Sequence, residues 1–152
     1  MPGLVHAEAE GSVAAPPAEV YVFLTDYRRR PEILPANYQD YRVEEGGTGA
    51  GTVVRYRFKA GPRERDYRVR AETPDTATLV ERDLESTLVT TWKVTPSGGG
   101  STVRIETEWQ GASGVGGFFE RTFAPKALSR VHSDTLARLA TAVSAAAARG
   151  AG

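Results

Sequence analysis

Only two residues in the chain are imidazoles, His6 and His132, and they lie at opposite ends of it. His132 is the one with chemical prospects, because it falls on an apolar stripe with helical period formed by Leu128, Thr135, Leu136, Leu139 and Val143. An imidazole titrates near neutral pH, so one in an apolar setting can give or take a proton there. The same position equally suits a core histidine bonded to a backbone carbonyl or a tyrosine, since buried polar groups find partners. Tyr56 and Tyr67 stand on one face of two alternating segments. Either can hydrogen-bond a ligand carbonyl, act as a weak acid, or pack as ordinary sheet aromatics. His132 with one of these tyrosines is the candidate proton-transfer pair. No stronger catalytic set is present: no serine sits in a nucleophile-elbow sequence, and Asp134 projects away from His132 on a helix.

Other chemistries are removed by composition. The 152 residues contain no cysteine, which excludes disulfides, a thiol nucleophile and thiolate metal ligands. With two distant histidines no metal centre is expected, and no cofactor. The glycines between Glu45 and Gly51 do not follow a strand and open a helix, so they are turn glycines, not a phosphate loop. Basic and acidic residues balance at 19 each. The runs Arg28-Arg29-Arg30 and Arg63-Glu64-Arg65, flanked by acidic neighbours, therefore read as solvated surface, not as a nucleic-acid footprint. His6, in phase with charged residues, reads as solvated too. No run of about 20 apolar residues is available to span a membrane. No signal peptide is recognised at the start, and the default compartment is the cytoplasm.

The elements that must position these side chains follow from periodicity. Val5, Ala7, Ala9 and Val13 alternate with His6, Glu8, Glu10 and Ser12, predicting a half-buried strand over Leu4–Val13. Pro17 suits a first helical turn, and Val20, Phe23 and Leu24 carry helical spacing to Thr25. A second short helix is expected at Pro31–Leu34. From Tyr38 onward the period is two, in segments separated by short Gly/Pro turns, which predicts an antiparallel meander. One segment, Thr76–Arg82, has no clear face because Leu79 and Val80 are adjacent. A long helix is expected from Phe118 to about Ala148, after a glycine-rich hinge at 111–117. Phe119 and Phe123 do not continue its stripe, and a kink at Pro125 is the expected cause. One domain over residues 1–149 accounts for the chain, with 150–152 as a frayed end.

The order strand, two short helices, about six strands and one long amphipathic helix is an α+β arrangement in which the helix covers one face of the sheet. The chain resembles the START/Bet v 1-like (SRPBCC) superfamily, most closely its small bacterial polyketide cyclase/dehydrase and lipid-transport-like members. The matching segments are Ala14–Asp26, Arg30-Pro31-Glu32-Ile33-Leu34-Pro35, Gly49-Ala50-Gly51-Thr52, Thr91–Pro96, the Gly98-Gly99-Gly100 turn and the Pro125 helix. Ile33 stands where many relatives have tryptophan. These are turn and packing positions, which specify a fold better than a ligand.

The resemblance implies a helix-grip fold of about seven strands, with a hydrophobic cavity between sheet and helix for a lipid, isoprenoid or polyketide-like molecule. By phase, the residues facing that cavity are Val54, Tyr56, Phe58, Tyr67, Val69, Trp92, Val94, Val103, Ile105 and Trp109 from the sheet. Phe123, His132 and Leu136 face them from the helix. Binding or carriage of a small hydrophobic molecule is the leading expectation. A cofactor-free cyclase or dehydratase using His132 with Tyr56 or Tyr67 is the first alternative, and an interaction module with a filled core the second. The small residues Ala7 and Ala9 fit either a hollow or a close helix approach.

Overall fold

A computed structural model describes residues 4–110 and 124–151, with side chains as far as Ser144. The chain forms β1 (Leu4–Val13), α1 (Pro17–Thr25), a 3-10 turn (Arg30–Ile33), β2 (Tyr38–Glu45), β3 (Val53–Ala60), β4 (Arg63–Asp75), β5 (Thr78–Asp83), β6 (Val89–Ser97), β7 (Gly100–Gln110) and α2 (Pro125–Ala151). The strands make one antiparallel sheet in the order β1-β7-β6-β5-β4-β3-β2. Strands β2 to β7 are thus a meander, and β1 closes onto β7.

Alternation sets which side chains the sheet buries. Val54 and Phe58 on β3, Tyr67, Val69 and Ala71 on β4, Trp92 and Val94 on β6, and Val103, Ile105 and Trp109 on β7 are all buried. They meet α2 through Leu128, Val131, Leu136, Leu139 and Val143. Each of the Val, Leu, Ile and Phe side chains among them contributes about 1.5–3 kcal/mol by leaving water. Helix α2 lies against β1, where the Ser129 hydroxyl accepts the Glu8 N–H at 3.2 Å and so occupies a donor on the open strand edge. A Cβ built on Gly11 would come within 3.3 Å of the Leu136 Cβ. The absence of a side chain at Gly11 lets the helix approach β1 closely.

Three expectations need correction. The second short helix is a single 3-10 turn, with Pro31 near its start. Helix α2 begins at Pro125, after a non-helical Ala124, so the proline opens the helix where its missing N–H costs nothing and does not kink it. The expected start at Phe118, with Phe119 and Phe123, lies outside the described residues, as does the glycine hinge. Most consequential, Arg30 is not solvated surface: it is 5% exposed.

A bulge in β2 brings an extra aromatic to the inner face. Gln39 pairs with Arg57 and Arg42 with Arg55, so Asp40 and Tyr41 together face the single residue Tyr56. Asp40 takes φ +54, a region that Asp and Asn tolerate better than most side chains. The inserted residue resets the alternation, and Tyr38 and Tyr41, three apart, both pack inward against Tyr56, their rings 5.1 and 6.5 Å from its own.

Candidate functional site

Between the sheet, the 3-10 turn and α2 is a largely enclosed cavity of about 40 Å³. Its lining is Arg30, Leu34, Tyr38, Tyr41, Val54, Tyr56, Val69, Glu81, Thr90, Trp92, His132 and Thr135. Of the residues expected to face a ligand, Val54, Tyr56, Val69, Trp92 and His132 line it. Phe58, Tyr67, Val94, Val103, Ile105, Trp109 and Leu136 are buried in the surrounding core instead. Phe123 lies outside the described residues. The volume is room for a water or two. Any larger molecule requires the lining to move outward.

One end of the cavity is built around a buried ion pair that the sequence did not announce. The Arg30 Nη1 lies 2.8 Å from the Glu81 Oε2, and both residues are more than nine-tenths buried. Strand β5 has its phase fixed by register: Leu79 lies opposite Trp92, so Leu79, Glu81 and Asp83 share the inner face. Glu81 also accepts the Tyr27 hydroxyl at 2.6 Å and the Trp92 indole N–H at 2.8 Å. The other Arg30 terminal nitrogen donates to the Leu24 carbonyl at 2.8 Å. The guanidinium lies over the Tyr27 ring at 4.6 Å and the Trp92 ring at 4.9 Å. Its Nε is buried with no hydrogen-bond partner among the described residues. Such a pair demands this much satisfaction, because taking two charges out of water costs several kcal/mol each.

The glycine loop sets the position of this end. The Tyr27 N–H donates to the Gly47 carbonyl at 2.9 Å, the Gly49 N–H to the Thr25 carbonyl at 2.9 Å, and the Tyr41 hydroxyl to the Tyr27 carbonyl at 2.8 Å. Gly46 has φ +71, and a Cβ there would sit 3.1 Å from the Thr52 Cα, so the turn needs a glycine.

Tyr38 and Tyr56 bring two phenol hydroxyls to the cavity. Neither Tyr38 nor Tyr56 hydrogen-bonds another described residue through its hydroxyl. Burial, reinforced by the charge of Glu81, raises both phenols above their usual pKa, so they are proton donors at any physiological pH.

At the opposite side His132, 4% exposed, reaches the Thr107 hydroxyl from Nε2 at 2.8 Å. Thr107 in turn meets the hydroxyl of Thr90, its cross-strand partner, at 2.8 Å. Burial pushes the His132 pKa down to about 4 against a smaller opposing effect of Glu81, so the ring is neutral at pH 7. His132 is therefore a core histidine bonded through Nε2 that also touches the cavity, and a weak base. Tyr56 and His132 share the cavity; Tyr67 does not line it.

A group with metal-ligand chemistry lies elsewhere. His6, Glu106 and Glu108 on the outer face hold ligand atoms within 4.8 Å of one another. His6 is half-exposed and engaged with Glu106 at 3.0 Å, and Arg104 pairs with Glu106 and Glu8. This is a surface ion-pair network, and the cavity itself has no such ligand set among the described residues. No helix among the described residues is long and apolar enough to cross a membrane.

Comparison with known proteins bears on the whole fold. The sequence model of the family described as polyketide cyclase/dehydrase and lipid transport matches residues 5–144. No curated protein sequence matches. Among solved structures, the solution structure of the KanY protein is 41% identical with a TM-score of 0.84, over 93% of this chain and 99% of that one. Zhui aromatase/cyclase from Streptomyces sp. R1128 is 19% identical with a TM-score of 0.72, over 93% and 94%. Major latex-like protein 151 from Panax ginseng is 14% identical with a TM-score of 0.68, over 91% and 96%. The last two share the helix-grip fold with this chain.

Proposed function

The chain belongs to the polyketide cyclase/dehydrase and lipid transport family of the Bet v 1-like superfamily, and from that premise we propose that it binds a small, uncharged, oxygen-bearing hydrophobic molecule in the cavity between sheet and α2. One observation carries the reading: the Tyr38 and Tyr56 hydroxyls are held protonated, without a hydrogen bond to another described residue, beside an apolar wall of Val54, Val69 and Trp92. Such a site orients a ligand by one or two hydrogen bonds within a mainly apolar contact. The absence of net charge in the ligand follows from Arg30, whose charge Glu81 already neutralises. A carboxylate would have to displace Glu81 and leave it buried and unpaired. The cavity as it stands has room for a water or two, so even a one-ring ligand requires Leu34 and the tyrosines to swing out, and longer ones more so.

A matched pair of molecules tests this. Acetophenone and benzoate have nearly the same shape and differ in charge at pH 7. In amide NMR titrations acetophenone is expected to shift Val54, Val69 and the Trp92 indole N–H saturably, with benzoate at least tenfold weaker. Val54→Phe, which fills the space, is expected to remove the response while the remaining spectrum stays folded. Absence of any saturable shift at these positions would favour an interaction module with a filled core.

Acid–base catalysis on a polyketide-like substrate is the second reading. Its support is that Tyr56 and His132 line one cavity. Its weakness is the low basicity of His132, which leaves Tyr56 as the better-placed proton donor.

A further inference from the structure

The hydrogen-bonded chain from His132 to Thr90 has a consequence for what the cavity can recognise. Thr90 lines the cavity, Thr107 stands behind it, and His132 closes the chain. The two gaps, Thr90–Thr107 and Thr107–His132, are 2.8 Å each, and each holds one proton, since two lone pairs at that distance repel. If the imidazole hydrogen is on Nε2, it fills the gap to Thr107. The Thr107 hydrogen then fills the gap to Thr90, and the Thr90 hydrogen is left over to donate into the cavity. If the imidazole hydrogen is on Nδ1, Nε2 accepts from Thr107 and Thr107 accepts from Thr90. Thr90 then offers the cavity only a lone pair.

We propose that Thr90 is a ligand-contacting residue whose polarity, donor or acceptor, is set by the tautomer of His132 through the Thr107 hydroxyl. The proposal rests on the cavity being a binding site, and it extends the ligand class. One site then accommodates a ring compound presenting a carbonyl or one presenting an O–H or N–H, and an enolisable carbonyl in either form. No charge develops in the exchange, because the ring stays neutral and only its hydrogen changes nitrogen. The low basicity of His132 is then an advantage, as it keeps the imidazole from protonating and fixing both nitrogens as donors.

The test reads the tautomer directly from the ¹⁵N shifts of His132, in wild type and variants. Thr90→Val removes the acceptor for the Thr107 hydrogen, which must then turn to Nε2. The expected result is a His132 carrying its hydrogen on Nδ1, with Thr90→Ser restoring the wild-type tautomer population. In the wild type, acetophenone, which only accepts, is expected to favour the Nε2–H tautomer, and indole, which only donates through N–H, the Nδ1–H tautomer. A Thr90→Val protein with hydrogen on Nε2 overturns the relay whether or not any molecule binds. The same tautomer with both molecules, when both shift the cavity amides, overturns it as well. If neither molecule shifts those amides the binding reading fails, and Thr90→Val alone then decides the relay.

Discussion

Glu81→Gln removes one charge of the buried pair and leaves the side-chain shape in place. Arg30 is 5% exposed and Glu81 8%, with 2.8 Å between the paired atoms, so the remaining guanidinium has no access to bulk water. Two unit charges about 4 Å apart interact by about 4 kcal/mol at an effective dielectric of about 20. Measured costs of breaking buried pairs, about 3–5 kcal/mol, agree with that size. Glutamine retains one carbonyl for either Tyr27 or Trp92, which now donate to separate carboxylate oxygens, so one of those bonds is lost as well. Glu81→Gln is therefore expected to lower the unfolding free energy by about 3–5 kcal/mol in urea titrations at pH 7. Removing both charges, Arg30→Met with Glu81→Gln, is expected to cost at least about 2 kcal/mol less than the sum of the single changes, because no buried charge is then unpaired. A Glu81→Gln cost below about 1 kcal/mol, or strict additivity in the cycle, would refute the reasoning. Either would mean that the pair is hydrated in solution.

Three other outcomes follow from the same geometry. The His132 pKa, pushed down from 6.5 to about 4, means that the unfolded chain binds a proton the folded one refuses. Stability due to His132 is therefore complete above pH 6.5 and falls by about 3 kcal/mol as pH drops to 4. Unfolding titrations across that range should show the slope, and His132→Gln should flatten it; a slope unchanged by the substitution would refute its assignment to His132. Tyr56→Phe should weaken acetophenone binding roughly three- to tenfold, the effect of one hydrogen bond of about 1 kcal/mol, with little change in unfolding midpoint. Gly46→Ala should cost about 1–2 kcal/mol, because an alanine at φ +71 is strained and its Cβ meets the Thr52 backbone.

Much of the fold was legible because alternation and helical spacing are local signals. Val54, Phe58, Tyr67 and Val69 lie inward as their phase predicted, and Leu128, Leu136, Leu139 and Val143 form the inward stripe of α2. The polar end of the cavity was less legible, for a reason particular to each residue. Arg30 belongs to a run of three arginines whose other members are a surface ion pair with Glu32, at Arg29, and a side chain beside the glycine loop, at Arg28. Nothing local marks the third as buried; the 3-10 turn does that by aiming it at Glu81. Glu81 follows adjacent Leu79 and Val80, so its face is decided by pairing with β6. Tyr38 is hidden by the bulge that breaks the β2 alternation. Thr90 shares the phase of Trp92 and Thr107 that of Ile105, yet their hydroxyl contact depends on their being cross-strand partners. Long-range register is what a single sequence does not carry.

The central claim is that the small cavity, not the protein surface, is the binding site. A crystal structure of the protein soaked in acetophenone tests it most directly. The account predicts electron density for the ring between Val54, Val69 and Trp92, with the ketone oxygen in hydrogen-bond reach of the Tyr38 or Tyr56 hydroxyl. Density found only in the open surface groove beside Glu32, Arg138 and Thr141, with the cavity unexpanded, would contradict it.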